Sequence, residues 1–153
     1  MYKASVRALV RHGIGRLNEG DPEFLLRMAT PASEIAFPGD NSWAAMFRPV
    51  EKGRRAVATH RGMEELRAFA DRFVADGIQF QIEDILVNGP PWRTRVAVRA
   101  HVFVPSNPGA DRYNNRVVAF MDVRWGKFVR WEDYEDTQRV AEWDRSQQAV
   151  LAS

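Results

Sequence analysis

At 153 residues, 45% hydrophobic and 27% charged, the chain has the composition of one globular domain large enough to bury a core without staples. The absence of cysteine excludes disulfides, thiol nucleophiles and thiolate metal sites. Its 22 Lys and Arg offset 20 Asp and Glu to a net charge of +2, with arginines spread along the chain, so nucleic acid is not expected as a partner; no apolar run is long enough to predict a membrane span.

The start, Met1 to Arg7, carries charge where a secretory leader would be apolar, so a cytoplasmic location is expected. From Tyr2 to Asn18, Val6, Leu9, Val10, Ile14 and Leu17 recur at steps of three and four, predicting a helix with one buried stripe. Gly20-Asp21-Pro22-Glu23 reads as a stop followed by a capping aspartate and a helical first turn, predicting a short helix over Pro22 to Ala29. Ser33 to Pro38 has the length of a short strand. Gly39 to His60 shows neither period and is expected to be a long loop, with Trp43, Met46 and Phe47 placed to close a pocket mouth or to pack the loop down.

Gly62 to Gly77 puts Leu66, Phe69, Ala70, Phe73 and Val74 on one stripe, with Gly77 where a helix ends. Four strands are predicted after it, at Ile78 to Val87, Trp92 to Pro105, Tyr113 to Trp125 and Lys127 to Asp136. The connections between them are short, so antiparallel pairing is expected, with a tight hairpin at Gly126-Lys127. Gln138 to Leu151 is expected to be a terminal helix, with Asp136 as its cap. Helices before strands predict an α+β domain spanning 1–153, in which N-terminal helices pack on a curved antiparallel sheet and enclose a cone-shaped pocket.

Two faces of the strand 92–105 compete for the interior. Val96, Val98, Ala100, Val102 and Val104 form one; Arg93, Arg95, Arg99, His101 and Phe103 contribute to the other. If the second face lines the pocket, Arg99 is a cation and His101 a proton shuttle for the carboxylates of the last strand, and the valine face needs a homodimer partner to cover it. If the valine face points inward, Arg99 and His101 turn out. On the last strand, alternation places Trp131, Asp133 and Glu135 side by side, where two carboxylates can act as base and acid if burial raises one of them. Tyr113, Asn115 and Val117 share a face and are candidate pocket-lining residues. The three histidines are scattered and show no metal-ligand spacing, so neither metal nor cofactor is expected.

This order of elements resembles the SnoaL-like branch of the nuclear transport factor 2-like superfamily. The resemblance is carried by Arg-Tyr-Asn-Asn at 112–115, Arg-Trp-Gly-Lys-Phe-Val at 124–129, Trp-Glu-Asp-Tyr-Glu-Asp at 131–136 and Phe-Pro-Gly-Asp at 37–40. That branch also contains polyketide cyclases and limonene-type epoxide hydrolases, with ketosteroid isomerases more distant. The resemblance implies a cone-shaped fold, a small apolar ligand, a homodimer, and Asp133 at the position of the catalytic aspartate of the cyclases and hydrolases. Arg99 and His101 stand at the spacing of the arginine and second aspartate of the hydrolases, or Ala97 and Arg99 do if the gap is placed differently. The Tyr-x-Asn pair with which hydrolases hold water has Glu34-Ile35-Ala36-Phe37 in its place, and the first helix offers Ile14 and Leu17 rather than the isomerases' tyrosine. The implied function is an aspartate-based cyclase, isomerase or hydrolase acting on a polycyclic or polyketide-like substrate; the alternative is a non-catalytic ligand-binding or dimerisation module.

Overall fold

Residues with strand periodicity and residues with helical periodicity segregate into two layers. In a computed structural model, which describes residues 1–39, 41–43, 46–47, 57–105 and 111–151, the helices are α1 (Tyr2–Asn18), α2 (Glu23–Met28), α3 (Gly62–Ala75) and α4 (Thr137–Leu151). The strands are β1 (Glu34–Pro38), β2 (Val57–Arg61), β3 (Gln79–Asn88), β4 (Thr94–Pro105), β5 (Asp111–Arg124) and β6 (Lys127–Glu135), in the sheet order β2-β1-β6-β5-β4-β3.

Capping chemistry sets the helix ends. Asp21 accepts the Glu23 N–H at 3.0 Å to open α2, and Asp136 accepts the Gln138 N–H at 3.0 Å to open α4. Helix α3 ends where Gly77 takes φ +68°, and the Ile78 N–H reaches back to the Phe73 carbonyl at 3.3 Å. The β3–β4 connection needs glycine at Gly89, where φ is +90° and a Cβ would lie 2.2 Å from the Arg93 carbonyl oxygen.

The sheet departs from expectation in two places. Val57–Arg61, expected to be the end of a long loop, pairs antiparallel with β1 as an edge strand, while much of that loop, including Ala44 and Ala45, lies outside the described residues. Strand β1 runs parallel to β6, with Ile35 opposite Trp131, so the sheet is mixed rather than wholly antiparallel.

Register determines which side chains point inward. Asp133 sits opposite Ala119 and Ala119 opposite Val98, so these three share a face. That face carries Val96, Val98, Ala100 and Val102, all at most 7% exposed, and the helices cover it. The valine face is therefore the inner one, and the argument that a partner subunit must cover it is corrected: apolar burial is achieved within the chain. Residues Glu83 and Val129 are inserted relative to their partner strands. Such bulges bend a sheet and increase its twist, and here they occur in the curved sheet that wraps the helices. The insertion at Val129 also lets Phe128 and Trp131 both face inward, and places Asp133 and Glu135 on the same side.

Candidate functional site

Among the described residues, two cavities on the inner face stand out. The larger, about 610 Å3 with its open mouth included, lies between α1, α2 and the β5–β6 turn, and its lining, from Val6 and Ile14 to Met121 and Phe128, contains no ionisable group. The smaller, about 410 Å3 with its mouth included, contains Asp133 and Glu135. Chemistry that moves protons needs titratable groups, which makes the smaller cleft the candidate site. The indole of Trp131 lines the larger cavity and reaches across to Asp133, so it forms part of the wall between them.

Phe37 from β1, Phe69 and Phe73 from α3, and Phe80 from β3 line the cleft, together with Trp43 from the loop after β1. Their rings pack in a chain, with centroids 5.5 Å apart from Phe37 to Phe69 and 5.4 Å from Phe73 to Phe80. The stripe of α3 thus supplies aromatic walls as well as core. Trp43 is fixed from three sides. The Arg72 guanidinium lies 3.9 Å from its ring centre, His60 Nε2 is 2.7 Å from its carbonyl oxygen, and its neighbour Ser42 donates its N–H to the Asp144 carboxylate of α4 at 2.9 Å. His60, Arg72 and Asp144 were not singled out from sequence, because their roles arise only when α3, α4 and β2 converge.

Asp133 is 7% exposed. Trp131 donates its indole N–H to Asp133 Oδ1 at 2.6 Å, and no cation lines the cleft among the described residues. Burial therefore dominates over the indole hydrogen bond and pushes the Asp133 carboxyl up to about 7. Glu135 is pushed up to about 8, first by burial and then by the neighbouring Asp133 charge. With both carboxyls raised toward neutral pH, the cleft can hold one protonated beside one ionised, the condition that paired acid and base chemistry requires.

Tyr113 lies in the same lining, 8% exposed. Burial and then the Glu135 carboxylate hold its hydroxyl well above the usual phenol range, so it stays protonated. Asn115 Nδ2 donates to that hydroxyl oxygen at 2.9 Å and to the Asp136 carbonyl at 3.1 Å. With its oxygen already accepting, the tyrosine has its own proton to donate. Val117 is buried in the lining, and Asn115 supports the tyrosine from outside it.

Arg99 and His101 are corrected. Arg99 pairs across the sheet with Val118, and Val118 with Tyr134, so it lies on the face opposite Asp133. There it forms an ion pair with Glu83 at 3.0 Å, and His101 Nε2 lies 2.7 Å from Asn114 Oδ1. The physical reason is alternation: once the valines turn in, every odd residue of β4 turns out. Among the described residues no group of three or more His, Cys, Asp or Glu is arranged to hold a metal ion. Among the described residues no helix is long and apolar enough to cross a membrane.

The model of the SnoaL-like domain family matches residues 6–131. Among solved structures, the chain is similar to TerC, crystallised with polyporic acid, at 18% identity and TM-score 0.67 over 92% of this chain and 98% of that one. It is similar to Bal32a from a soil-derived mobile gene cassette at 17% identity and TM-score 0.65, over 92% and 96% of the two chains. A Jannaschia sp. CCS1 protein with a provisional SnoaL-like polyketide cyclase description matches at 12% identity and TM-score 0.66, over 92% of each chain. No curated protein matches the chain.

Proposed function

The chain belongs to the SnoaL-like domain family, and from that premise we propose that it is a cofactor-independent enzyme of the cyclase, isomerase or hydrolase type, using Asp133 as general base on an apolar, polycyclic or polyketide-like substrate. The observation that carries this reading is a buried carboxyl at the foot of an aromatic cleft, pushed up to about 7 with no cation to hold it ionised among the described residues. A base works best when it titrates near the operating pH.

The same electrostatics narrow the substrate. Two carboxyls without a counter-cation disfavour an anion, so the substrate is neutral where it meets them, with aromatic walls matched to flat apolar rings. The step that fits these groups is proton abstraction beside a carbonyl. Asp133 takes the proton, the electrons of the C–H bond pass to the carbonyl oxygen, and the Tyr113 hydroxyl donates a hydrogen bond to the resulting enolate. Glu135 supplies the proton that quenches the product. Trp131 orients the base.

A second reading, a ligand-binding module without catalysis, draws on Ile35 and Phe37, 0% and 3% exposed, where related hydrolases place their water-holding pair. Incubation in deuterated buffer with neutral polycyclic ketones that carry hydrogen on the carbon beside the carbonyl separates the two. Deuterium uptake that disappears in Asp133→Asn supports the enzyme; tight binding with no exchange in the wild type favours the module.

We also propose that the protein is a homodimer through the outer face of the sheet. Leu86, Val118, Phe120 and Tyr134 are 63%, 38%, 38% and 56% exposed there, and cross-strand pairing aligns Leu86, Ala97 and Phe120 in one row. Light scattering should return twice the 17.5 kDa chain mass, and Phe120→Glu should return a single chain; a monomeric wild type at micromolar concentration would remove the dimer.

A further inference from the structure

One end of the molecule combines features that the cleft does not use. The β3–β4 and β5–β6 turns meet there, because Thr94 at the start of β4 lies opposite Val123 near the end of β5. The first turn of α1 joins them through a hydrogen bond between the Tyr2 and Thr94 hydroxyls. Two tryptophans project from this tip: Trp92 is 58% exposed and Trp125 71%, with ring centroids 6.0 Å apart.

Trp125 is held in place at some conformational cost. It takes φ +50°, the left-handed region that side chains other than Asn, Asp and Gly rarely adopt, and its N–H donates to the Pro91 carbonyl at 2.8 Å. The turn geometry favours asparagine at this position. A large apolar ring is instead presented to solvent beside a second one.

The unpaired charge around the pair is positive, and the acid nearest to it along β5, Asp122, is taken up in an ion pair with Arg95 at 3.8 Å. Lys3, Arg93 and Arg124 are exposed and form no ion pair among the described residues. The three segments that build the tip, 1–18, 85–105 and 123–131, contain no aspartate or glutamate. Behind the pair, Gly126, Val123 and Val6 line the larger, wholly apolar cavity, so a space for an uncharged apolar molecule extends to the tip.

We propose that this tip docks the protein on a membrane surface rich in anionic phospholipid. Tryptophan settles at the headgroup level with its ring in the acyl boundary and its N–H toward water, and unpaired cations beside it meet lipid phosphates. A bilayer also concentrates uncharged apolar molecules, the class the adjacent cavity admits. Single-stranded nucleic acid is the less suited partner, because the two indoles lie against each other, tilted by 42°, rather than standing apart to take bases between or upon them. Docking of this kind needs no membrane-spanning segment, and it is independent of what Asp133 does.

Sedimentation with vesicles of phosphatidylcholine alone, or mixed with phosphatidylglycerol, tests the proposal on the full chain. Binding is expected only to the mixed vesicles, weakening as salt is added. Trp92→Ser/Trp125→Asn, which gives the turn a residue it favours and so protects folding, should weaken that binding by about tenfold or more, as should Arg93→Glu/Arg124→Glu. The proposal is overturned if the wild type ignores phosphatidylglycerol, if both double variants bind undiminished, or if a single-stranded oligonucleotide binds more tightly than the vesicles and displaces them.

Discussion

At pH 8 the Asp133→Asn protein is expected to unfold at a higher temperature than the wild type while losing proton transfer. An aspartate in the unfolded chain titrates near about 3.9. In the fold, burial raises this carboxyl to about 7, so between those values the native state binds more protons than the unfolded state. The stability this group allows is complete below about pH 4 and is lost as pH rises through 7. Above that, a carboxylate stands in the cleft with one indole donor as its hydrogen-bonding partner. The accumulated cost is roughly 2–4 kcal/mol. Asparagine has nearly the same shape and no charge, so it should recover most of that amount at pH 8 and almost none at pH 4.

Glu135 follows the same direction over a window reaching to about 8, and its carboxyl is raised in part by Asp133. The variant should therefore let Glu135 ionise at lower pH. Loss of a general base lowers turnover by roughly 10²–10⁴. Thermal melts from acid to alkaline pH measure the stability effect, and deuterium exchange measures the other. A melting curve with the wild type's pH dependence would mean that Asp133 is solvated or paired in solution; undiminished exchange would remove it as the base.

Trp131→Ala should cost about 3–5 kcal/mol of stability, the range for deleting a buried large aromatic. The side chain is 2% exposed, with ring centroids 6.4 Å from Phe80 and 6.5 Å from Phe128. Its removal opens the wall between the two inner cavities and leaves Asp133 without its donor. Trp131→Phe separates these effects. It keeps most of the ring, so the stability loss is smaller, but it deletes the hydrogen bond that holds the Asp133 carboxyl down against burial. The midpoint of the pH dependence should then move upward. Chemical denaturation of both variants, with the pH profile of the phenylalanine one, checks the pair of claims. A midpoint that stays put, or an alanine variant as stable as the wild type, would show that the indole neither tunes the acid nor supports the core.

Local patterns made most elements legible in advance. Strands β3 to β6 showed period-two alternation between glycine-bearing turns, and α3 showed its stripe and terminal glycine. Strand β2 was not legible: only Ala58 and His60 are buried in Val57–Arg61, and its pairing with β1 spans a long intervening segment. The parallel β1–β6 pairing depends equally on distant partners. Asp133 was legible from its motif and lies in the cleft lining, with Glu135, Tyr113 and Val117. Arg99 and His101 were misplaced because a family spacing was weighed against plain hydrophobic alternation, and alternation decides the face of a strand with four buried valines.

The extra residue at Val129 has a consequence for how such clefts arise. Side-chain facing along a strand is a two-state alternation, and an inserted residue changes its phase for everything downstream until the strand ends. Asp133 and Glu135 stand inside because that phase change occurs between Phe128 and Arg130. Loss or gain of a single codon at this point exchanges the inward set Trp131, Asp133 and Glu135 with the outward set Arg130, Glu132 and Tyr134 without altering any of them. For a chain of this architecture, small insertions and deletions in the last strand are thus a shorter evolutionary route to acquiring or losing a buried acid than substitutions at the acid itself.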